Sequence, residues 1–274
     1  MIDQHLTTPE IRFERRERIA IITLTRAERG NAFTAEMGHT LKAMWHEVKH
    51  NPDIRVAVVT AEGDRHFCTG ADVAKLSEGQ SEQGLQNVPL EQAVTLTSLQ
   101  NKVLKPVVCA VNGLVVGGGL HFVVDSDVIV ACSTARFIDT HVNVGQVGAI
   151  ENIGLAKRLP LGTALRMTLQ GKGFQLSAER AYQLGLVDEL VPTAADVLSK
   201  ALEIAEDMAR NSPVAMARSK EAIWHSMETG YHQSLEYGWS LLRMQWAHPD
   251  SIEGPTAFVE RRDPEWNPDP SALR

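Results

Sequence analysis

The chain has 274 residues and a mass of 30.1 kDa, a length that predicts one domain with an appendage rather than two full domains. Hydrophobic residues make up 43% of the chain and charged residues 22%, a composition that excludes a disordered protein. The net charge of −7, without a basic cluster, argues against nucleic acids and anionic membranes as partners.

The cysteines and the apolar segments narrow the class of protein further. Three cysteines without a CxxC pair predict neither a disulfide framework nor a zinc ribbon. The first 18 residues lack the apolar centre of a secretory signal. The longest apolar region, residues 107–132, contains His121, Asp125 and Asp127, which would be costly inside a bilayer. We therefore expect a cytoplasmic protein without membrane contact.

The first half of the chain alternates predicted strands and helices. Two paired strands are predicted at Ile11 to Arg16 and at Arg18 to Thr25, followed by a helix from Asn31 to Lys49 with Thr34 as its N-cap. A long polar loop is predicted from Ala61 to Pro89. The remaining elements of this half are a strand at Asp53 to Thr60, a helix at Leu90 to Leu104 and strands at Val107 to Val111 and Asp127 to Cys132.

Helical patterns dominate after about residue 150. Ser177 and Gly185 bracket one short helix as its N-cap and C′ residue. The predicted helices are Gly162 to Gln170, Ser177 to Leu184, Asp196 to Asn211, Pro213 to His225, Gly230 to Ala247 and Ser251 to Arg262. This order predicts an α/β core over residues 1–195 and a helical C-terminal region over residues 196–274.

Two glycine-bearing segments follow predicted strands, at residues 66–72 and 112–121. Three consecutive glycines, Gly117 to Gly119, allow the backbone to approach a ligand closely. One main-chain N–H from each segment, converging on one point, would stabilise a developing oxyanion. The alternative is that the glycines only permit close packing of a helix on a strand, and the two interpretations remain open at this point.

The sequence resembles the crotonase (enoyl-CoA hydratase/isomerase) superfamily from about Ile11 to Arg262. The resemblance depends on motifs in the family order rather than on any one of them. These motifs are Asn31-Ala32, Phe67-x-x-Gly70-Ala71-Asp72, Lys105-Pro106, Val111-Asn112-Gly113 with Gly117-Gly118-Gly119, Asp125-x-Asp127, Ala178-x-x-Ala181 with Gly185-Leu186-Val187, and Glu253-Gly254 with Ala257-Phe258-x-Glu260-Arg261-Arg262.

This resemblance implies a superhelix of β-β-α units with a C-terminal helical region that forms trimers, often stacked as hexamers. It implies an acyl-CoA thioester as ligand, with coenzyme A as part of the substrate and without a separate cofactor or metal. The amides of Ala71 and Gly118 would form the oxyanion hole. The residues implied in substrate binding are Arg26, Ala32, Gly70, Asp72, Gly117 and Phe258.

The sequence departs from the family at the acid/base positions, where the hydratases have two glutamates. His121 and His141 occupy these positions and keep the spacing of twenty residues. A neutral and a protonated imidazole can coexist near neutral pH, so the pair can take a proton from water and donate one to carbon. We favour a catalytic pair over non-catalytic replacements.

Four other residues are weighed as candidates. Asp139 could orient an imidazole, and Glu151 could be a third acid/base group, although we interpret Glu151 as a surface carboxylate. His66 is interpreted as a solvated loop residue and Cys68 as a small packed residue rather than a nucleophile. A zinc site built from these histidines and Cys68 lacks the usual ligand spacing.

Three functions remain open from the sequence. The leading hypothesis is an enoyl-CoA hydratase type of lyase, with His121 and His141 as the acid/base pair. The second is hydrolysis of a carbon–carbon bond in a β-diketone or β-keto thioester, because some divergent crotonase relatives use histidines near these positions for that reaction. The third is a non-catalytic protein that binds acyl-CoA.

Overall fold

The computed structural model describes residues 2–72 and 87–274, and its strands form two sheets. In chain order the strands are β1 (Ile11–Arg16), β2 (Ile19–Leu24), β3 (Val56–Ala61), β4 (His66–Cys68), β5 (Val107–Val111), β6 (Leu114–Val116), β7 (Val128–Cys132), β8 (Arg136–Ile138), β9 (Leu176–Ser177) and β10 (Glu189–Val191). The larger sheet has the order β1-β2-β3-β5-β7-β10, and the smaller sheet has the order β4-β6-β8-β9.

The chain moves between the two sheets in a regular way. β1 and β2 pair with each other, as predicted. The pair is antiparallel, with Ile11 opposite Leu24, and each later pair in the larger sheet is parallel. The consecutive pairs β3–β4, β5–β6 and β7–β8 each place one strand in the larger sheet and the next in the smaller sheet. The chain therefore winds as a superhelix, and the predicted fold class is confirmed.

The helices surround these sheets and continue to the C-terminus. They are α1 (Ala35–His50), α2 (Leu90–Ala93), α3 (Leu120–Val124), α4 (Ile150–Arg158), α5 (Leu161–Gln170), α6 (Ala178–Gln183), α7 (Ala194–Ala209), α8 (Pro213–His225), α9 (Tyr231–Trp246) and α10 (Asp250–Glu260). The Thr34 and Ser177 hydroxyls accept hydrogen bonds from Met37 N and Arg180 N, so both predicted N-caps are confirmed. Among residues 2–72 and 87–274, these helices include none that combines the length and apolar character of a membrane span.

The core follows from the apolar strands predicted by the sequence. Every residue of β2, β3 and β5 is buried, which is the pattern of strands covered on both faces. α7 packs against β3, β5 and β7. The Trp45 side chain of α1 is 1% exposed and donates a hydrogen bond from its ring to Leu96 O (2.8 Å). This packing holds the loops that follow the strands in fixed positions.

The predicted helix from Leu90 to Leu104 is wrong beyond its first turn, because α2 ends at Ala93. Side chains replace the helical hydrogen bonds in the segment that follows. The Gln100 side-chain oxygen accepts from Leu96 N (2.7 Å) and Thr97 N (3.2 Å). The Asn101 side chain donates to Thr97 O (2.7 Å). Polar side chains that compete for backbone groups favour turns over helices.

Several elements were not predicted, and most of them are short. The strands of the smaller sheet have two or three residues each, and α4 follows residues 146–149, which belong to no helix or strand. The predicted loop from Ala61 to Pro89 contains β4, and its residues 73–86 lie outside the described residues.

Candidate active site

The two glycine-bearing segments meet at the ends of β4 and β6. Gly70 has φ +85° and Gly117 has φ +51°, both in the left-handed region that favours glycine. A Cβ added to Gly70 would lie 3.0 Å from Gly118 N and 3.0 Å from Val116 O. The close approach of these two backbone segments therefore requires glycine at position 70.

Two main-chain amides at this contact have no hydrogen-bond acceptor among the residues that the structure describes. Ala71 forms a parallel bridge with Phe33, in which Phe33 N donates to Gly70 O (2.9 Å) and Asp72 N donates to Phe33 O (3.1 Å). This pattern turns the N–H of Ala71 away from Phe33. Within the described residues, neither the N–H of Ala71 nor that of Gly118 donates to a protein acceptor.

His141 is held by a buried carboxylate. Its ring Nδ1 lies 2.6 Å from Asp139 Oδ1, which also accepts the main-chain N–H of His141 (3.0 Å). The other Asp139 oxygen accepts from Asn152 Nδ2 at 2.5 Å, and Asn152 Nδ2 also donates to the Thr168 hydroxyl (2.8 Å). A Cβ on Gly148 would lie 2.8 Å from Asp139 Oδ2, so the turn before α4 packs directly on this group.

The electrostatics of this pair favour an ionised Asp139 and a protonated ring. The hydrogen bond that His141 donates to Asp139 raises the pKa of His141 above its ordinary value, although partial burial of the ring acts in the opposite direction. Burial acts to raise the pKa of Asp139, but the hydrogen bonds from His141 and Asn152 outweigh it and the net shift is downward. Since a carboxylate only accepts, Nδ1 of His141 carries a proton.

His121 is held in a different way, on the helix that follows the glycine triplet. The residue is 7% exposed, and its Nδ1 lies 3.1 Å from Gln100 Nε2. Burial lowers the pKa of His121 below its ordinary value, against the opposing influence of Glu151 and Asp125. Behind the ring, Asp125 accepts from the Thr97 hydroxyl (2.5 Å) and from Gln100 Nε2 (3.1 Å).

Glu151 lies between the two imidazoles. Its Oε1 is 3.1 Å from His141 Nε2, and its Oε2 is 3.4 Å from His121 Nε2. The interpretation of Glu151 as a surface carboxylate is wrong, because the residue is only 4% exposed. It lies in the first turn of α4, a helix that the sequence analysis missed. Glu151 thus joins His121 and His141 in one three-residue cluster.

Arg26 joins the other residues expected to bind substrate. Its guanidinium donates to Ala32 O (2.7 Å) and lies 3.1 Å from Glu10 Oε1 and 3.2 Å from Asp72 Oδ2. Arg26 thus contacts both Ala32 and Asp72, and Asp72 directly follows Ala71 in the chain. Phe258 is separate from this group in the sequence and lies 86% exposed on α10.

His66 and Cys68, the two remaining candidates from the sequence, both lie in β4. His66 is half-buried in β4, where its carbonyl accepts from Asn31 Nδ2 (2.9 Å), so it is not a loop residue. Cys68 is fully buried, and burial raises the pKa of its thiol to about 12. Across the described ranges, no group of three or more His, Cys, Asp or Glu side chains is arranged to hold a metal ion.

The sequence analysis missed the residues that support the histidines. Asn152 donates to Asp139, Thr168 accepts from the same Asn152 nitrogen, and Gln100 contacts His121. Their spacing along the chain carries no motif. The Asp139-x-His141 pair was visible, but its hydrogen bond depends on the loop conformation after β8.

Comparison with known proteins agrees with this architecture. The family model "Enoyl-CoA hydratase/isomerase" matches residues 14–269. The (E)-benzylidenesuccinyl-CoA hydratase of Thauera aromatica is 31% identical over 258 residues, covering 90% of this chain and 94% of the relative. The carnitinyl-CoA dehydratase of Proteus mirabilis (strain HI4320) is 30% identical over 274 residues, covering 96% of this chain and 97% of the relative.

Solved structures show the same similarity. The crystal structure of an enoyl-CoA hydratase/isomerase from Mycobacterium paratuberculosis superposes with a TM-score of 0.85 at 35% identity, covering 96% of this chain and 100% of that one. The enoyl-CoA hydratase of Mycobacterium tuberculosis H37Rv has a TM-score of 0.85 at 30% identity, covering 96% and 100%. The chain belongs to the enoyl-CoA hydratase/isomerase family. It is an enzyme of the crotonase superfamily that processes acyl-CoA substrates.

Proposed function

We propose that the protein adds water to, or removes water from, an α,β-unsaturated acyl-CoA thioester. The observation that carries this proposal is the pair of amides at Ala71 and Gly118, neither of which has an acceptor in residues 2–72 and 87–274. The relatives named above as hydratase and dehydratase support this type of reaction, since both names describe the addition or removal of water on a CoA ester.

The two amides would accept the thioester oxygen. When a nucleophile attacks the β-carbon of an enoyl thioester, negative charge builds on the carbonyl oxygen as an enolate. Two N–H groups without other acceptors can donate to that oxygen, and they need no reorganisation when the charge develops. Loss of one such donor typically costs about 3 kcal/mol of transition-state stabilisation.

Within the cluster of His141, Glu151 and His121, Glu151 and His141 would transfer the protons. In hydration, the Glu151 carboxylate takes a proton from the water whose oxygen bonds to the β-carbon. The enolate collapses and takes a proton at its α-carbon from Nε2 of His141, whose charged form Asp139 stabilises. The proton on Glu151 then returns to His141 Nε2 across the 3.1 Å contact, which restores the starting state.

Coenzyme A would bind beside the Ala71 amide. Arg26, Ala32, Gly70 and Asp72 line this side, and Arg26 is held there by its contacts with Ala32 O and Asp72. Gly117 completes the turn that presents the second amide. A Cβ built on Gly117 would lie 3.5 Å from the His141 ring, so the turn that presents the second amide adjoins the imidazole.

The C-terminal helices would form a homotrimer or homohexamer. Several large apolar side chains on α8, α9 and α10 are more than half exposed in the single chain, namely Ile223, Tyr231, Leu235, Trp239, Ile252 and Phe258. Burying such a patch between subunits removes apolar surface from water. Phe258 would then approach the ligand of an adjacent subunit. Light scattering that gives the mass of a single chain would contradict this assembly.

The reaction is tested with crotonyl-CoA and longer enoyl-CoA esters. We expect hydration that disappears in the double variant His121→Ala/His141→Ala and falls about 10²- to 10⁴-fold in Glu151→Gln, which keeps the shape of the side chain but removes its basic carboxylate. His39→Ala, on the exposed face of α1, is the matched control and retains full activity.

Two other outcomes would each overturn the proposed reaction. Binding of acyl-CoA esters without turnover would identify a binding protein. Inert enoyl-CoA esters, together with a product from a β-diketone or β-keto thioester that has gained water and split its chain, would identify a carbon–carbon bond hydrolase. Product mass separates these outcomes directly.

A further inference from the structure

The side-chain amide of Gln100 has a fixed orientation. Its oxygen accepts two main-chain N–H groups, from Leu96 (2.7 Å) and Thr97 (3.2 Å). The NH₂ end of an amide cannot accept hydrogen bonds, so exchanging the oxygen and nitrogen would break both contacts. Nε2 of Gln100 therefore points away from these residues, toward Asp125 and His121.

This orientation determines where the proton of His121 lies. Nε2 of Gln100 is a donor and lies 3.1 Å from Nδ1 of His121. A donor facing Nδ1 requires a lone pair on that nitrogen, so the ring is neutral and its hydrogen is on Nε2. That N–H side of the ring faces Glu151, with 3.4 Å between Nε2 and Oε2.

The two histidines are thus oriented by groups of opposite character. Nδ1 of His141 faces a carboxylate, which only accepts, whereas Nδ1 of His121 faces an amide NH₂, which only donates. His141 can gain and lose a proton at Nε2. His121 has no free lone pair with which to take a proton, because Gln100 occupies it.

We infer that Gln100 is a positioning residue that holds His121 as the neutral Nε2–H tautomer, so that His121 orients Glu151 and the reacting protons pass through Glu151 and His141 alone. The proton route in this inference rests on the proposed function, whereas the tautomer itself does not. The sequence spacing treats the two histidines as an equivalent pair, and the contacts of Gln100 make them unequal.

The charged groups around His121 are compatible with this assignment. Asp125 lies at the end of the same helix, but its Oδ2 is occupied by the Thr97 hydroxyl and Gln100 Nε2. Glu151 from α4 faces the Nε2 side, and His141 lies beyond Glu151. No carboxylate contacts Nδ1 in the described residues, so no group there stabilises a proton on that nitrogen.

Histidine-selective ¹⁵N NMR of the free protein tests the tautomer without any substrate. The His121 signals are assigned by their loss in His121→Asn. We expect Nδ1 to resonate as an unprotonated nitrogen and Nε2 as a protonated one from about pH 8 down to about pH 6, where an ordinary histidine titrates. A protonated Nδ1 at neutral pH would overturn the inference, and the hydration assay would be unaffected by that result.

Two variants test whether Gln100 is the cause. In Gln100→Glu, a carboxylate replaces the donor, and we expect His121 to lose the unprotonated Nδ1 signal. In Gln100→Met, which has no polar atom, we expect a mixture of both tautomers. If His121 keeps the pure Nε2–H signature in Gln100→Met, Gln100 is not the determinant. Asn101→Ala, which loosens the same turn through the loss of its bond to Thr97 O, is the control and keeps the wild-type tautomer.

The pH profile provides an independent readout in the active enzyme. In Gln100→Glu, His121 can exchange protons, so the profile of kcat gains a transition that the wild type lacks. A purely structural role would lower activity at every pH by the same factor. An unchanged profile shape in a folded Gln100→Glu protein that has lost the Nδ1 signature would refute the stated proton route.

Discussion

Asp139→Asn is the most direct test of how the site holds its acid. Asp139 is fully buried and gives one oxygen to His141 and the other to Asn152. The variant has the same shape, but one of its two terminal atoms is an NH₂ group. If that group faces His141, it meets a protonated Nδ1; if it faces Asn152, it meets another donor. Either orientation removes one accepting contact and the negative charge.

The size of the effect follows from the bond that is lost. A hydrogen bond to a charged group contributes about 1.5–3 kcal/mol, which corresponds to a factor of about 10–150 in the population of protonated His141. The pKa of His141 is raised by Asp139, so it falls in the variant. Since the proposed reaction needs the protonated ring, activity is lost as pH rises through this pKa. That limb of the profile moves to lower pH in the variant.

The assay follows hydration through the loss of absorbance of the conjugated thioester, over a range of pH and beside an NMR titration of His141. We expect kcat at neutral pH to fall by about 10- to 150-fold and to recover partly in acid. Asn152→Ala is the control, because it removes a donor to Asp139 but leaves the charge, so its effect on the profile is smaller. A uniform loss of activity with the alkaline limb unmoved would refute the role given to Asp139.

The same pair predicts a pH dependence of stability. Because the folded pKa of His141 is raised, its stabilising contribution is fully present below the unfolded value near 6.5 and is lost as pH rises through the folded value. The difference in unfolding free energy between wild type and Asp139→Asn should therefore shrink as pH rises above about 6.5. Urea unfolding of both proteins at several pH values measures this difference. A difference that grows with pH would contradict a raised pKa of His141.

Three further predictions concern the backbone and the thiol. Gly148→Ala puts a Cβ 2.8 Å from an oxygen of Asp139 and should lower kcat at least about 10-fold. Gly162→Ala is the control and should retain full activity, because its Cβ would meet no atom of the described residues within 4 Å. Equal kinetics in the two variants would argue against close packing of residue 148 on Asp139. Gly70→Ala, at φ +85°, should cost about 10²- to 10³-fold in kcat by separating the amides, and a wild-type rate would remove the support for the oxyanion hole. Cys68, buried with a pKa of about 12, should resist alkylation at neutral pH until the protein unfolds, as mass spectrometry would show.

The parts of the fold that the sequence predicted have strong local patterns. β2, β3 and β5 are continuous apolar runs, and α1 carries buried residues at intervals of three and four, including Met37, Met44 and Trp45. The smaller sheet was missed because strands of two or three residues are too short to show a period. The prediction of a long helix after Leu90 was wrong because the side chains of Gln100 and Asn101 form hydrogen bonds with backbone groups. Hydrophobic periodicity carries no information about such bonds.

The candidate site was likewise predicted only in part. The two glycine-bearing segments were predicted from residue type, and the two histidines were predicted from the resemblance to the crotonase superfamily; the structure brings His121 and His141 to opposite sides of Glu151. Glu151 was misjudged because its burial depends on where α4 begins and on how the turn before it packs over Asp139. No sequence pattern marked Gln100, since its role depends on the orientation of its amide, which is known only when the partners of both its oxygen and its nitrogen are known.

These contacts also explain why two histidines need more support than two glutamates would at the same positions. A carboxylate is acceptor-only, so its role depends on its protonation alone. An imidazole has two nitrogens, and its role depends on which of them carries hydrogen. Asp139 holds a hydrogen on Nδ1 of His141, whereas Gln100 keeps Nδ1 of His121 without hydrogen. At the start of the proposed cycle one ring is charged and the other is neutral, with hydrogen on Nε2 of both. Of the three groups, Glu151 alone then has a lone pair with which to take a proton from water. We therefore expect Glu151→Gln to lower activity more than the loss of His121.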